Sequence, residues 1–400
     1  MAAAGSFYRK KMKTNFSKKN EEILLLELSG LARNKQKAGF SGAAIDWDYF
    51  LQRACDERLA PFVYKNISGD ISGPAETLPL EIREKLKNTY YVTLSRNLII
   101  LKQLKSLLEA FSKNGIEAIV FKGLALAHLV YHDLGVRPMT DIDILVKKDD
   151  VSGVDRLLKG LGYSIPFDIK VFSSLNANLY HNSMLYENHS SSFGSAFVHM
   201  YWHLLNLFSY DSAILDKFNM DEVWKVSQTL DMDGLAIRTL SVEHHLIYLS
   251  MHAFKHGFSP AILFLDMACY IDTLGGIIDW EIFIRDTTAF GLSKYVYYSF
   301  YALSRVSAIS IPAQVFDALK PGKASLFEKN FIRRLEERHW QGGMAWVYFG
   351  MNETLAQRAA YLTHAIFPSR MEMALSRQKD PSKVSVFDYF DRAFSALKNS

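Results

Sequence analysis

The segment GIEAIVFKGLALAHLVYHDLGVRPMTDIDILVKKDD, residues 115–150, predicts a strand, a glycine turn, a helix, a loop and a second strand. Ile116–Phe121 is a short apolar run with β-branched residues, which is typical of a buried strand. A Lys-Gly pair ends this run, and Leu124–Tyr131 then carries apolar residues at helical spacing. The second strand is predicted at Asp141–Val146, after a loop that contains a proline.

Asp141 and Asp143 are the candidate catalytic residues of this segment. Alternate side chains of a strand share a face, so both carboxylates are expected on one side while Ile142 and Ile144 point into the core. An Asp-x-Asp pair is also common at a solvated strand end, but this strand is otherwise apolar. Two neighbouring carboxylates repel each other unless a cation or a proton lies between them. Mg²⁺ suits such a pair, because it binds one or two carboxylates together with substrate phosphate oxygens.

Three further residues of the segment are candidate phosphate-binding groups. Lys122 and Gly123 place an ammonium and a bare backbone at the predicted helix N-terminus, where anions bind well. Arg137, in the loop before the second strand, carries a guanidinium that matches the geometry of phosphate. A Lys-Gly pair alone is uninformative, but its combination with the paired acids indicates a phosphate-containing ligand.

Length and composition limit the class of protein. Four hundred residues exceed what one hydrophobic core usually covers, so two or three structural units are expected. The hydrophobic fraction of 49% and the charged fraction of 22% are those of an ordinary globular protein. A net charge of +4 is too small over this length to indicate nucleic-acid binding by itself.

The periodicity of the sequence divides the chain into four segments. Residues 1–20 are basic without an acid and are predicted to form a flexible tail. Residues 21–114 have helical spacing and form a predicted N-terminal helical unit. Residues 115–210 contain the predicted strands, among them Ser195–Leu205, which would close a small mixed sheet. Residues 211–400 are predicted as a larger, mostly helical region, so the expected fold class is α+β.

The sequence predicts a cytoplasmic location. Met1–Asn20 lacks the apolar core of a signal peptide, and no run reaches the length of a membrane span. Cys55 and Cys269 are far apart and show no pairing pattern, so both are expected to be reduced thiols in a reducing compartment.

These motifs carry a family resemblance. Residues 115–150 resemble the polymerase β-type nucleotidyltransferases and, more narrowly, the bacterial uncharacterised nucleotidyltransferase family. The residues that carry the resemblance are Phe121-Lys122-Gly123, Tyr131, Arg137 and Asp141–Val146. Later stretches resemble the helical half of that family, namely Leu246–Asp266, Asp279-Trp280 and Phe367-Pro368-Ser369. The resemblance covers most of the chain after Trp47.

The resemblance implies a mechanism. Such enzymes bind a nucleoside triphosphate with Mg²⁺ or Mn²⁺ and move the nucleoside monophosphate to an acceptor. Asp141 and Asp143 would hold two metal ions. Gly123 would let the backbone approach the phosphates, while Lys122 and Arg137 would neutralise them. The acceptor is unknown and is expected to be a small molecule, a sugar, a peptide or a protein, since no basic stripe indicates nucleic acid.

The chain departs from the family pattern at the expected third carboxylate. In the run Val198–His203 the residue at that position is His199, a base and a ligand for Mn²⁺ or Zn²⁺ that suits Mg²⁺ poorly. Three explanations remain open. His199 works with a transition metal, another acid such as Glu187 replaces it, or the chain is a catalytically degenerate module that still binds a nucleotide.

His252, His256 and Asp266 form a second group of polar residues. The two histidines are four residues apart and therefore share a helix face. Metal binding or contact with the nucleotide is one interpretation. The preferred one is structural, with both histidines bonded to Asp266 across two packed helices. The zinc-protease pattern is absent, because no glutamate follows His252.

Overall fold

The computed structural model describes residues 19–31, 45–69, 78–165, 182–188, 197–205, 212–232, 234–322, 324–336, 344–351, 354–368, 370, 373, 377 and 381–391. The predicted basic tail, residues 1–20, lies outside the described residues apart from its last two. The predicted core segment, 115–210, is described except for 166–181, 189–196 and 206–210.

A seven-stranded mixed sheet forms the centre of the molecule. Its strands are β1 (Ala118–Val120), β2 (Asp141–Val146), β3 (Tyr163–Ser164), β4 (Ser183–Asn188), β5 (Phe197–Tyr201), β6 (Gln228–Met232) and β7 (Leu235–Thr239). The order across the sheet is β3-β4-β5-β2-β1-β7-β6. Strand β2 therefore lies in the middle, antiparallel to β1 and parallel to β5. Helices surround the sheet, and the α+β class is confirmed.

Two groups of helices precede and interrupt this sheet. The first group consists of α1 (Lys19–Leu28), α2 (Trp47–Asp56), α3 (Ala60–Gly69) and the 34-residue α4 (Leu80–Lys113). The helices between the strands are α5 (Gly123–Leu126), with a π-helical turn at Ala127–Tyr131, then α6 (Val151–Gly160), α7 (Ser212–Lys217) and α8 (Met220–Lys225).

Helices follow the last strand in succession. They are α9 (Val242–Lys255), α10 (Ile262–Leu274), α11 (Trp280–Ala289), α12 (Ser293–Val306), α13 (Ala313–Leu319), α14 (Leu326–Glu336), α15 (Met344–Met351) and α16 (Leu355–Ile366). None of the helices in the described ranges combines the length and the hydropathy that crossing a bilayer requires.

The alternation along β2 separates its two faces. Ile142 and Ile144 are almost fully buried in a core that also contains residues of α4 and α6, such as Leu104 and Leu158. This confirms the predicted inward face of the strand. On the other face, Leu145 belongs to the core cluster that contains most of α9 and α10. The acidic residues of β2 therefore face the later helices.

The hairpin of β6 and β7 lies within residues 211–400, the region predicted as mostly helical, and neither strand is predicted from the sequence. Its strands are short and carry polar residues such as Gln228 and Asp231, and β6 lies at the edge of the sheet. Strong apolar alternation is not required of such a strand, so it is easily missed. The available signal is an Asp-Gly pair at 233–234, which favours a tight hairpin turn.

Candidate active site

Asp141, Asp143 and His199 come together because β2 and β5 are parallel neighbours. Their register places His199 beside Asp143, and Phe197 beside Asp141. The Nδ1 atom of His199 lies 3.9 Å from Asp141 Oδ2 and 3.9 Å from Asp143 Oδ1. One potential ligand atom from each of the three residues lies within 4.8 Å of the others. The donor set, two carboxylates and one imidazole, fits a divalent cation.

Burial controls the charge of this group. Asp143 is buried, and burial together with the Asp143 charge raises the pKa of the half-buried Asp141. Burial, followed by the field of Lys122, lowers the pKa of His199 to about 3. The imidazole is therefore neutral at neutral pH, as metal ligation requires.

Both ring nitrogens of His199 take part in hydrogen bonds. Lys122 Nζ donates to the hydroxyl oxygen of Tyr201 at 2.9 Å, and this hydroxyl lies within hydrogen-bond distance of His199 Nδ1, 2.8 Å away. The other ring nitrogen, Nε2, lies 3.0 Å from Ser183 Oγ. His199 Nδ1 is therefore already engaged by Tyr201, and the role of His199 as metal ligand or base stays a prediction.

The ammonium of Lys122 is held inside the site. Its Nζ lies 2.7 Å from Asp143 Oδ1, and only 7% of the residue is exposed. Burial disfavours the charged form of Lys122 and lowers its pKa. The neighbouring Asp143, Tyr248 and Tyr201 have a larger, opposite effect and hold the pKa of the ammonium well above its usual value. The predicted contact of Lys122 with phosphates is untested, whereas the bond to Asp143 is present.

Gly123 packs closely against the side chain of Met139. A Cβ atom at this position would lie 2.7 Å from Met139 Sδ and 3.1 Å from Met139 Cγ, closer than side-chain carbons normally approach. The same atom would lie 3.6 Å from Arg137 Nη1. The glycine therefore lets α5 begin against the loop before β2, and its predicted contact with phosphates stays a prediction.

Arg137 forms a two-point ion pair with Asp266. Nε and Nη2 of Arg137 donate to Oδ1 and Oδ2 of Asp266, both at 2.8 Å, and the hydroxyl of Tyr131 donates to Oδ1 at 2.6 Å. The preferred structural interpretation, in which His252 and His256 bond Asp266, is therefore wrong. Both oxygens of this carboxylate are occupied by groups that precede β2.

The site opens into a cavity of about 320 Å³ between the sheet and helices α9 and α10. Among the described lining residues, four side chains are cationic and two are acidic: Arg58, Lys122, Arg137 and Lys255 against Asp141 and Asp143. Burial, with a smaller effect of Lys122, lowers the pKa of Lys255 to about 8. Before any metal binds, the cavity therefore has an excess of positive charge, which suits a polyanionic ligand.

The histidines of α9 belong to this cavity. His252 and His256 both line it, and their ring centroids lie 4.6 Å apart. Burial, followed by the charge of Lys122, lowers the pKa of His252 well below its usual value. Lys255 lies between the two histidines in the sequence His-Ala-Phe-Lys-His, so the spacing could have indicated it. No sequence signal indicated Arg58, which reaches the cavity from the turn between α2 and α3.

The comparison with protein families agrees with this geometry. A family model described as uncharacterised nucleotidyltransferase matches residues 43–307. The chain belongs to this nucleotidyltransferase family. The match covers the sheet, the cavity and the helices from α2 to α12. It ends before Phe367-Pro368-Ser369, so the family resemblance of that stretch falls outside the matched region. A search of curated proteins found no matching relative.

The expected third carboxylate of a nucleotidyltransferase is not supplied by Glu187. In β4 the residue opposite His199 is Leu185, and Glu187 pairs with Ser164 at the outer side of the strand. Glu187 is not among the described residues that line the cavity. This placement argues against Glu187 as the replacement acid, while the transition-metal and degenerate-module explanations for the departure at His199 stay predictions.

Proposed function

We propose that this chain transfers a nucleoside monophosphate from a nucleoside triphosphate to an acceptor in a reaction that depends on Mg²⁺ or Mn²⁺. The observation that carries the proposal is the convergence of Asp141, Asp143 and His199 in a cavity with a cationic wall. Membership of the family supports the reaction class. Residues Asp141 and Asp143 would hold the divalent ion, which supplies charge neutralisation for the triphosphate.

The wall opposite the carboxylates supports a polyphosphate ligand. Lys255 and His252 lie on one face of α9, and Arg58 faces the same cavity from the N-terminal helices. A triphosphate carries several negative charges, and cationic or hydrogen-bonding side chains would orient it relative to the two aspartates. Nucleotidyl transfer depends mainly on such positioning and charge neutralisation.

The acceptor we expect is a small molecule, a sugar, or a side chain of a peptide or protein. The cavity volume of about 320 Å³ is at the lower end of the range for small-molecule sites. A net charge of +4 over 400 residues gives no general attraction for nucleic acid.

Labelled nucleoside triphosphates test the proposal. The purified chain is incubated with each α-labelled triphosphate, a mixture of candidate acceptors and Mg²⁺ or Mn²⁺, and pyrophosphate release and label transfer are measured. We expect both to be lost in the Asp141→Ala/Asp143→Ala variant and kept in Asp149→Ala, an exposed acid that follows β2. Equal pyrophosphate release from the wild type and the double variant would contradict catalysis at this site.

A nucleotide-binding module without catalysis is the second candidate. It is favoured by the hydrogen bonds within the site, because Lys122 already binds Asp143 Oδ1 and Tyr201 already binds His199 Nδ1. Equilibrium dialysis with the same labelled triphosphates separates the two functions. Binding that disappears in the double aspartate variant, with no turnover in the wild type, would support the module.

A further inference from the structure

The position of Lys122 bears on the number of metal ions. A site of three carboxylates holds two divalent ions because its negative charge offsets their repulsion. In this chain, His199, whose imidazole carries no negative charge, stands where the resemblance implies a carboxylate, and it lies beside Asp143 on the neighbouring strand. The ammonium of Lys122 is bonded to that same aspartate, 2.7 Å from Oδ1. A cation of the protein thus already neutralises one of the two acids.

The Lys122 ammonium is built into the fold rather than presented on a free chain. It lies 5.4, 4.8 and 5.3 Å from the ring centroids of Phe121, Tyr201 and Tyr248, so three aromatic faces surround it. It also donates to the hydroxyl of Tyr201. A lysine that served as a mobile phosphate ligand would not need this enclosure.

The backbone of Lys122 is fixed as well. Its φ of +57° lies in a region that side chains with a Cβ rarely adopt, and its N–H donates to Nε2 of the buried His245 at 3.4 Å. The turn that directs the ammonium toward Asp143 is therefore held from both ends, by the side-chain bonds and by the histidine of α9.

The charges of the site support one divalent ion. Asp141 and Asp143 contribute two negative charges, the Lys122 ammonium at Asp143 offsets one of them, and an imidazole such as that of His199 adds no negative charge. A second divalent ion at Asp143 would lie next to a buried ammonium and would be repelled by it. The remaining acid, Asp141, and the open oxygen of Asp143 are sufficient for a single ion that keeps phosphate and water ligands.

We infer that the Lys122 ammonium serves as the second cation of this site, so that the chain binds one divalent metal ion where a three-carboxylate site binds two. The inference rests on the proposed function, because it concerns the same metal and nucleotide site. In this inference Lys122 binds the carboxylate pair, and the phosphates are contacted by the α9 residues that line the cavity, His252, Lys255 and His256.

Manganese stoichiometry tests the inference without relying on turnover. The full chain is saturated with a nucleoside triphosphate analogue that cannot be cleaved between the α and β phosphates, and Mn²⁺ is counted by electron paramagnetic resonance. We expect one bound Mn²⁺ per chain and no dipolar signature of two ions about 4 Å apart. Two coupled ions in the wild type, or no bound ion, would overturn the inference.

Two variants distinguish the ammonium from the missing carboxylate. His199→Asp restores three acids but keeps Lys122, and we expect it still to bind one ion. Lys122→Met combined with His199→Asp removes the ammonium, and we expect it to bind two coupled ions. Binding of two ions by His199→Asp alone would show that the ammonium does not exclude the second ion. Thermal melting confirms that each variant is folded, and the wild-type count stands even if the double variant is not.

The experiments distinguish a failure of the proposed function from a failure of the inference about Lys122. Pyrophosphate release that is insensitive to Asp141→Ala/Asp143→Ala contradicts nucleotidyl transfer whatever the ion count. Two coupled ions in a wild-type protein whose activity is lost in that variant overturn only the assignment of Lys122.

Discussion

Arg137 and Asp266 form a two-point ion pair across 129 residues of sequence, with both contacts at 2.8 Å. Arg137 lies in the loop that leads into β2, and Asp266 lies in α10. Both side chains are largely shielded from solvent, with 12% and 2% exposure. The pair therefore fixes the loop before Asp141 against the helical wall of the cavity.

The first prediction concerns this ion pair. Asp266→Asn should lower the free energy of unfolding by about 3–5 kcal/mol, because it leaves the buried guanidinium of Arg137 without a countercharge. Tyr131 also loses its charged acceptor. Urea unfolding followed by circular dichroism measures the change. Asp272→Asn, in the exposed face of the same helix, is the control and should change stability by less than about 0.5 kcal/mol. Equal stability of the two variants would contradict a structural role for the pair.

The carboxylate pair illustrates what local sequence can predict. Strand β2 was predicted with its observed bounds, Asp141–Val146. Alternate residues of a strand share a face, so two acids two residues apart in an otherwise apolar strand must lie on the same side of the sheet. The placement of His199 also followed from sequence, since its strand candidate and the family pattern put it at the third-ligand position. Parallel pairing of β5 with β2 then brought it beside Asp143.

Partners that are distant in sequence could not be predicted in the same way. The α9 histidines and Asp266 share a region of sequence, and this suggested a mutual bond. The actual partner of Asp266 is Arg137, and no local pattern specifies a contact between a loop and a helix so far apart. Arg58 presents the same difficulty, because its place in the cavity depends on how the N-terminal helices pack on the rest of the chain.

The second prediction concerns the hydrogen bond between Tyr201 and His199. Tyr201→Phe removes the hydroxyl that is hydrogen-bonded to His199 Nδ1, so this nitrogen becomes available to a metal. We expect a higher affinity for Co²⁺ and Zn²⁺ relative to Mg²⁺, by about tenfold or more, because imidazole favours these ions. Isothermal titration of each metal measures the ratio. Tyr186→Phe, on the adjacent strand β4, removes a hydroxyl that donates to Asp155 of α6, and should leave the ratio unchanged. An unchanged ratio in Tyr201→Phe would show that His199 is not a metal ligand.

The third prediction follows from the lowered pKa of Lys255. Burial and Lys122 lower it from 10.5 to about 8, so the folded protein binds this proton less tightly than the unfolded chain. Below pH 8 both states are protonated, and the charged side chain destabilises the fold by its full amount. Lys255→Met should therefore be more stable than the wild type by about 1–3 kcal/mol at pH 7.

This advantage of Lys255→Met should shrink as the pH rises from 8 to about 10.5, since the wild-type fold then releases the proton. Chemical unfolding of both proteins across this range measures the difference. Lys159→Met is the control, because Lys159 is 43% exposed and pairs with Asp155 on the surface of α6. A constant difference between Lys255→Met and the wild type would contradict a desolvated ammonium in the cavity.

The last prediction concerns the histidines of α9 as ligands for the phosphates. His252→Ala/His256→Ala should weaken binding of a non-hydrolysable triphosphate analogue by about 5- to 150-fold, because each imidazole offers one hydrogen bond worth about 0.5–1.5 kcal/mol. The affinity for the corresponding nucleoside should not change, because it lacks the phosphates. Fluorescence titration with a labelled analogue measures both. His132→Asn removes an exposed imidazole that does not line the cavity, and it retains a residue type that tolerates the positive φ of 49° found there. If the double variant and His132→Asn bind the triphosphate equally well, His252 and His256 do not contact the phosphates.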